Sequence, residues 1–217
     1  MDTEKINPVL FTITIGIIFT VEMIAHKLPI SPLMQTGTAR FLEIISILMV
    51  FKWLNNGLGA IGLSSEQIVP GLKNGIIWSA GFGLVAAIFG AVLFLSGMNP
   101  FKLLHGRLPD SKMDIVFFFL IGGVIAPMAE EIFFRGVVYG FIKGMLLKKI
   151  KKWAIPAALI ISTYLFVIAH QTSAGIPLPQ LVGGIVFCVS YEINKSLMTP
   201  ILIHTLGNLA LFTISFF

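Results

Sequence analysis

Charged residues are scarce in this chain. Only 12% of its 217 residues are Asp, Glu, Lys or Arg, whereas 56% are hydrophobic. Soluble domains contain about 25% charged residues, so the composition excludes an ordinary soluble domain and predicts a polytopic membrane protein. Because no long polar linker interrupts the apolar runs, we expect a single integral membrane domain over residues 1–217.

Cysteine and several hydrolase motifs are also missing. The single cysteine, Cys188, excludes an internal disulfide framework and a cysteine-rich metal site. The sequence contains neither the H-E-x-x-H motif of zinc peptidases nor the G-x-S-x-G turn of serine hydrolases. Its aspartates are Asp2, Asp110 and Asp114. No second aspartate lies deep enough in the membrane to form a catalytic pair. Zinc-peptidase, serine and aspartate routes to hydrolysis in the membrane are therefore unsupported.

Long apolar runs dominate what remains. A membrane-spanning helix needs about 20 apolar residues, and the runs predict an all-α transmembrane helical bundle with about eight membrane segments. These segments are 8–25, 39–54, 74–97, 114–129, 131–147, 153–170, 179–193 and 197–217. The start "MDTEKINP" lacks the basic region of a cleavable signal, so the first run is expected to stay as an anchor.

Pro127 leaves two alternatives open for residues 114–147. The stretch forms either two spans or one helix that is broken near the proline and then continues, because proline removes a backbone donor and disfavours helix before it. A broken helix at membrane depth is tolerated where it is buried in protein or lines a wet cavity. The segment "IGGVIAP", residues 121–127, is therefore predicted to admit water and a substrate strand.

The cationic residues predict an orientation. The loop "KGMLLKKIKKW", residues 143–153, is rich in lysine and is expected to be cytoplasmic by the positive-inside rule. We interpret the net charge of +5 in the same way, with no nucleic-acid partner. Eight spans would place Lys195 on the cytoplasmic side, Lys52 outside, and both termini outside. The uncharged loop 171–178 is predicted on the far side of a multi-pass protein of the cell membrane.

Ionisable residues within apolar runs are the candidates for function, since a charge in hydrocarbon costs about 2.5–3.5 kcal/mol or more. On a helix, residues four apart share a face, so Glu131 and Arg135 are expected to form an ion pair. Glu130 is turned about 100° away and is left as a lone carboxylate, which suits a general base. The other deep candidates are Glu22, His26, Glu43, His170, Glu192 and His204.

Two further clusters follow in order. The segment "FVIAH" places Phe166 and His170 four residues apart, and "HTLGN" places His204 and Asn208 four apart on one helix face. An imidazole and a carboxamide that point the same way are two donors for an oxyanion. Gly207, between them, is expected to let another backbone come close.

The three clusters together resemble the signature of the CPBP group of intramembrane peptidases, which includes the type II CAAX prenyl endopeptidase. That signature is E-E-x-x-x-R, then F-x-x-x-H, then H-x-x-x-N. Here it is matched by "EEIFFR", "FVIAH" and "HTLGN" in type, order and spacing. The resemblance covers residues 115–212, whereas the first 110 residues match only as generic membrane helices.

The resemblance implies a glutamic-type endopeptidase that acts on a membrane-associated protein or peptide. Glu130 resembles the general base, and His170 its partner in activating water. His204 and Asn208 resemble the oxyanion pair, and Glu131 with Arg135 a supporting ion pair. The family has also been described as metal-dependent, and two histidines with a glutamate could bind zinc. We favour a reaction without metal or other cofactor, because Asn208 is a poor zinc ligand and a good oxyanion donor.

Two other function classes fit the same residues. A non-catalytic membrane scaffold or immunity-type protein of the same family would keep the pattern without turning over a substrate. A proton-coupled carrier would use buried Glu, His and Arg as a proton relay, although the sequence shows no internal repeat. Glu22 and Glu43 lie near the ends of their helices and are expected to reach the membrane interface, and Glu192 to pair with Lys195.

Overall fold

Helix starts in this protein are fixed by caps and prolines. The computed structural model describes residues 6–55, 57–101, 106, 108–170 and 177–216. Helix α1, Pro8–Ala25, begins after Asn7, whose side chain accepts from the Leu10 N–H, and α2, Pro32–Leu54, begins after Ser31 in the same way. Helix α3, Ser65–Leu95, starts with a Ser64–Gln67 capping box. Such caps satisfy the otherwise unpaired N–H groups of a first helical turn.

Residues 112–150 form one long helix, α4, which settles the alternatives left open at Pro127. It is built from Lys112–Leu120, a π-helical stretch Ile121–Ile125, the α-helical turns Ala126–Glu131, a second π-helical stretch Ile132–Tyr139, and Gly140–Ile150. Proline would clash with the carbonyl of the residue four positions earlier in a regular helix. The wider π turn directly before Pro127 accommodates it, so the helix continues.

The remaining helices are α5, Ala154–Ala169, α6, Leu178–Asn194, and α7, Met198–Ile214. A short 3₁₀ turn precedes α3 at Gly59–Ile61, and another, Lys151–Trp153, joins α4 to α5. The described residues thus hold seven long helices and no strand. The predicted all-α membrane bundle is confirmed, while residues 114–129 and 131–147, which were counted as two of eight segments, belong to one helix.

Three helical stretches are long and apolar enough to cross a membrane: Pro8–Ala25, Gly59–Leu95 and Lys112–Ala169. Met198–Ile214 is a shorter apolar helix. None of the most apolar window of the Gly59–Leu95 stretch is buried inside the protein. Its side chains, such as Leu84, Val85 and Phe89, point outward, which suits a helix surrounded by lipid.

The chain connections group at two ends of the bundle. The Leu197 N–H donates to the Gly62 carbonyl (2.9 Å), and the Gln67 side chain donates to the Lys195 carbonyl (2.7 Å). These bonds join the connection before α3 to the connection before α7, and Lys143 of α4 donates to Glu192 at the end of α6 (2.7 Å). This end of the bundle also holds the lysine-rich end of α4, and we call it the lysine face. At the opposite face, the Gly106 N–H donates to Ser215 Oγ (2.9 Å).

This grouping corrects the predicted topology. Eight spans placed Lys52 and Lys195 on opposite sides, but the connection after α2 and the connection before α7 meet at the lysine face. Ile6 packs against Gly140 of α4, so the chain enters α1 from the lysine face and leaves α7 at the opposite one. The two ends of the described chain, Ile6 and Phe216, therefore lie at different faces, because α4 is one helix where two spans were counted.

Glycines Gly122 and Gly123 let α7 pack closely on α4. A Cβ atom at Gly123 would lie 2.5 Å from Leu209 Cδ2, and one at Gly122 would lie 3.2 Å from the Phe212 ring. The pair thus serves helix packing and does not form the expected opening for water. Gly207 has no such neighbour within 4 Å, so the close approach predicted there was wrong.

Candidate active site

Glu130, His170 and His204 meet although they lie on three helices. Glu130 lies in the middle of α4, His170 caps the end of α5, and His204 lies in α7. Glu130 Oε2 is 3.4 Å from His170 Nε2 and 3.8 Å from His204 Nε2. The side chains of Glu130 and His170 keep 17% and 26% of their surface accessible, respectively. The site is therefore enclosed but reachable by a small molecule such as water.

The hydrogen bond at the far side of the His170 ring determines what faces Glu130. His170 Nδ1 lies 2.8 Å from the Phe166 carbonyl oxygen. A carbonyl only accepts, so Nδ1 carries the proton, and Nε2 of a neutral ring presents a lone pair. His170 Nε2 and Glu130 Oε2 are then two hydrogen-bond acceptors 3.4 Å apart, and two acceptors interact favourably only through a donor that both can bind. A water molecule that donates one hydrogen to each group would fit this pair, with its lone pairs pointing away from both.

Phe166 positions the site in two ways. Its carbonyl orients His170, and its ring lies 4.4 Å from the His170 ring and 5.9 Å from the His204 ring. The same ring packs against the Arg135 guanidinium, with 4.2 Å between Arg135 Cζ and the ring centroid. The four-residue spacing of "FVIAH" thus serves both packing and the orientation of the imidazole.

The predicted ion pair is present and fully buried. Arg135 NH1 donates to Glu131 Oε1 at 2.9 Å, and neither side chain is exposed. Arg135 also donates to the Gly184 carbonyl of α6 (3.3 Å). A Cβ atom at residue 184 would lie 3.0 Å from Thr163 and 3.6 Å from Arg135, so glycine there allows the guanidinium to approach the backbone.

Glu131 also contacts His204, a link that the sequence did not reveal. Glu131 Oε1 lies 2.8 Å from His204 Nδ1 and so accepts from both His204 and Arg135. The His204 ring stacks on Phe187, with 4.5 Å between centroids. When Nε2 is also protonated, the ring is a cation and Nε2 becomes a donor. The charges of Arg135 and His204 then balance those of Glu130 and Glu131.

Asn208 lies one turn after His204, on the same side of α7. Its Nδ2 donates to the Gly122 carbonyl in the first π-helical stretch of α4, at 2.9 Å. This bond fixes the amide against the helix that carries Glu130. One amide N–H is thereby committed to Gly122, so a role in oxyanion binding falls to the second N–H.

The other deep ionisable residues lie elsewhere. Glu192 lies at the lysine face, where Tyr139 and Lys143 each donate to it at 2.7 Å and Lys195 contacts it as predicted. His26 is exposed at the end of α1. Residues 171–176, most of the loop predicted on the far side, lie outside the described part of the chain.

Glu43 overturns an expectation from the sequence. It was predicted to reach the membrane interface, yet only 2% of it is exposed. Its Oε2 pairs with Arg40 at 2.5 Å, and Arg40 also contacts Glu22 Oε1 at 2.6 Å. Sequence reasoning did not single out Arg40 and so missed this cluster. The signal that was available is the three-residue spacing of Arg40 and Glu43, which places them on one helix face.

Comparison with known proteins supports the reading of the motifs. Residues 112–210 match the family model described as type II CAAX prenyl endopeptidase Rce1-like. These residues resemble that family, and the match covers a little less than half of the chain. The matched segment contains all seven residues of the three motifs and does not extend to the Glu22–Arg40–Glu43 cluster.

A curated relative matches part of this chain. It is the membrane-embedded CAAX protease MroQ of Staphylococcus aureus (strain USA300), which is 35% identical over 100 residues. The match covers 45% of this chain and 38% of that protein, so the aligned part spans less than two fifths of the relative. No solved structure gives a significant match.

Proposed function

We propose that the protein is an intramembrane endopeptidase that hydrolyses a peptide bond of a membrane-associated protein or peptide. The observation that carries this proposal is the position of Glu130 Oε2 between two imidazole nitrogens, at 3.4 and 3.8 Å. A general base must lie within about 2.6–3.2 Å of the group that it deprotonates, or act through one water. Water held by Glu130 and His170 meets that requirement.

The reaction follows from these contacts. Glu130 takes a proton from the water, whose oxygen attacks the carbonyl carbon of the substrate peptide. The carbonyl oxygen becomes an oxyanion, which His204 Nε2–H and the second Asn208 N–H stabilise. When the C–N bond breaks, Glu130 returns the proton to the leaving amine. The products are a carboxyl group and an amine, and the base is regenerated.

The supporting residues hold this arrangement inside the bundle. Glu131 and Arg135 cancel each other's charge, and Glu131 orients the His204 ring. The Staphylococcus aureus relative is named a membrane-embedded CAAX protease, which supports the same reaction class. A non-catalytic scaffold has no comparable use for a carboxylate facing two imidazoles.

Cleavage by the purified protein tests the proposal. The wild-type chain, reconstituted in liposomes, is incubated with a library of membrane-anchored peptides, and new termini are identified by mass spectrometry. We expect a reproducible set of complementary new N- and C-termini. Peptides that bind and are recovered intact would instead support the scaffold function.

We propose that the reaction proceeds without a metal. Glutamate and histidine are ligand types that zinc accepts, but the described residues contain no group of three or more His, Cys, Asp or Glu side chains arranged to hold a metal ion. The purified protein is therefore expected to keep its activity after dialysis against a strong chelator. Elemental analysis that finds about one zinc per chain, lost together with activity, would contradict this.

We propose that the lysine face is cytoplasmic and that the protein lies in the cell membrane. This face gathers the cationic residues around the end of α4, and such residues are enriched in cytoplasmic connections. A single cysteine at position 149, in a chain with Cys188 replaced by alanine, should resist a membrane-impermeant reagent in intact cells. A cysteine at position 30, at the opposite face, should react. The reverse pattern would overturn the orientation.

A further inference from the structure

A second ionic cluster adjoins the candidate active site from the N-terminal half of the chain. Arg40 lies between two carboxylates, with NH2 2.6 Å from Glu22 Oε1 and NH1 2.5 Å from Glu43 Oε2. Glu22 belongs to α1, and the other two belong to α2. All three lie outside residues 112–210, which match the peptidase family.

Helix packing brings this cluster towards Glu130. Helix α2 packs against the Ala126–Glu131 turns of α4. A Cβ atom at Gly37, one turn before Arg40, would lie 2.6 Å from Ile121 of α4, so this part of α2 lies against the part of α4 that leads to Glu130. Within the described residues, the second oxygen of Glu43, Oε1, is buried without a hydrogen-bond partner. The contacts within the cluster therefore leave one buried carboxylate oxygen without a hydrogen bond. The cluster lies on the side of the site that α2 forms.

The charges around Glu130 explain why a cation matters at this position. Helix α4 itself contributes the Glu131–Arg135 pair, while α5 and α7 contribute His170 and His204. Helix α2 contributes Glu43 and Arg40. Arg135 of α4 is bound to Glu131 and to the Gly184 carbonyl. Arg40 is a second cation, and it comes from α2.

We propose that Arg40 is a positioning residue of the peptidase site. Held by Glu22 and Glu43, it supplies a fixed positive charge beside Glu130 that stabilises the negative charge passing from the carboxylate to the tetrahedral oxyanion. A charge that is fixed before the reaction needs no reorganisation in the transition state. This proposal rests on the proposed function, since it concerns the same hydrolysis.

A purely structural role of Arg40 predicts different results. As a tie between α1 and α2, the Arg40–Glu22 pair would be broken equally by Arg40→Met and by Glu22→Gln. If Arg40 acts through its charge, that charge is lost only in Arg40→Met. Glu22→Gln keeps the charge and removes one of the two carboxylates that neutralise it. The two variants therefore separate the charge from the tie.

The test uses kcat and KM of reconstituted Arg40→Met, Arg40→Lys and Glu22→Gln proteins on one cleaved peptide, normalised to folded protein. We expect Arg40→Met to lower kcat about tenfold with little change in KM, because a charge several ångströms away still acts in an environment of low dielectric constant. Arg40→Lys should retain most of kcat, and Glu22→Gln should retain or exceed it.

Several outcomes would overturn the proposal. These are an unchanged kcat in Arg40→Met, a tenfold loss in Glu22→Gln, or a loss in Arg40→Lys as large as that in Arg40→Met. If Arg40→Met does not fold, the Arg40→Lys and Glu22→Gln values still decide. Two controls separate the levels. A wild-type protein that cleaves no peptide contradicts the proposed function, and an active Glu130→Gln contradicts the assignment of the base. An inactive Glu130→Gln beside an unaffected Arg40→Met removes only this inference.

Discussion

Arg135→Ala is expected to reduce the free energy of unfolding by about 3–5 kcal/mol, because it leaves the carboxylate of Glu131 buried without its cation. Glu131 and Arg135 are completely buried, so water cannot replace the lost contacts. The guanidinium also fills the space between the Phe166 and Phe187 rings, and its removal leaves a cavity. Thermal unfolding in detergent and the yield of monodisperse protein measure the effect.

Lys149→Ala is a suitable control, since Lys149 is exposed near the end of α4 and its removal should leave stability unchanged. Activity should fall with stability in Arg135→Ala, because a displaced Glu131 no longer orients His204. A stable, folded and inactive Arg135→Ala protein would contradict this account. It would indicate that Arg135 contacts the substrate.

His204→Ala is expected to lower kcat about 10²–10³-fold, the loss typical of one oxyanion donor. The ring is oriented by Glu131 through Nδ1 and presents Nε2 towards Glu130. That position suits a donor to an oxyanion that forms beside the attacking water. KM should change much less, because the contact strengthens only when the oxyanion develops.

His26→Ala is the matched control for His204→Ala. His26 is an exposed histidine at the end of α1, so its replacement should leave both kcat and KM unchanged. An effect of His204→Ala confined to KM would assign the ring to substrate binding. A kcat equal to that of the wild type would remove His204 from the reaction.

Helical spacing predicted the local parts of the site. The four-residue spacing of Glu131 and Arg135 gives a pair at 2.9 Å, and the spacing of His204 and Asn208 places both on one side of α7. Because isolated polar groups are costly in hydrocarbon, Glu130, His170, His204 and Asn208 are expected to share one cavity, and the structure places both histidine rings within 4 Å of Glu130. Their catalytic roles stay predictions.

The spacing of residues along one helix could not predict contacts between different helices. Glu131 and His204 are 73 residues apart in sequence, and only the packing of α7 on α4 joins them. The same is true of Arg40, which reads in the sequence as one cation near a helix start. Its second partner, Glu22, lies on a neighbouring helix, so the residue could be recognised only once α1 and α2 were placed together.

The shape of α4 escaped prediction for a local reason. Proline usually ends a helix, and Pro127 therefore indicated a break. The two π-helical stretches, Ile121–Ile125 and Ile132–Tyr139, flank the turns that carry Glu130 and Glu131 and let the helix continue. Since π-helical turns are single additions to a helix and are frequent at functional sites, residue preferences alone do not reveal them.

Cleavage of a membrane-anchored peptide by wild-type and Glu130→Gln proteins, compared at equal amounts of folded protein, tests the central claim most directly. Glutamine keeps the size of the side chain but cannot accept the proton of the attacking water. We therefore expect the wild type to generate new termini and Glu130→Gln to lose at least about 10²–10⁴-fold in rate, the usual contribution of a general base, with an unchanged melting temperature. Cleavage by Glu130→Gln at the wild-type rate would contradict the assignment of Glu130 as the base that activates water.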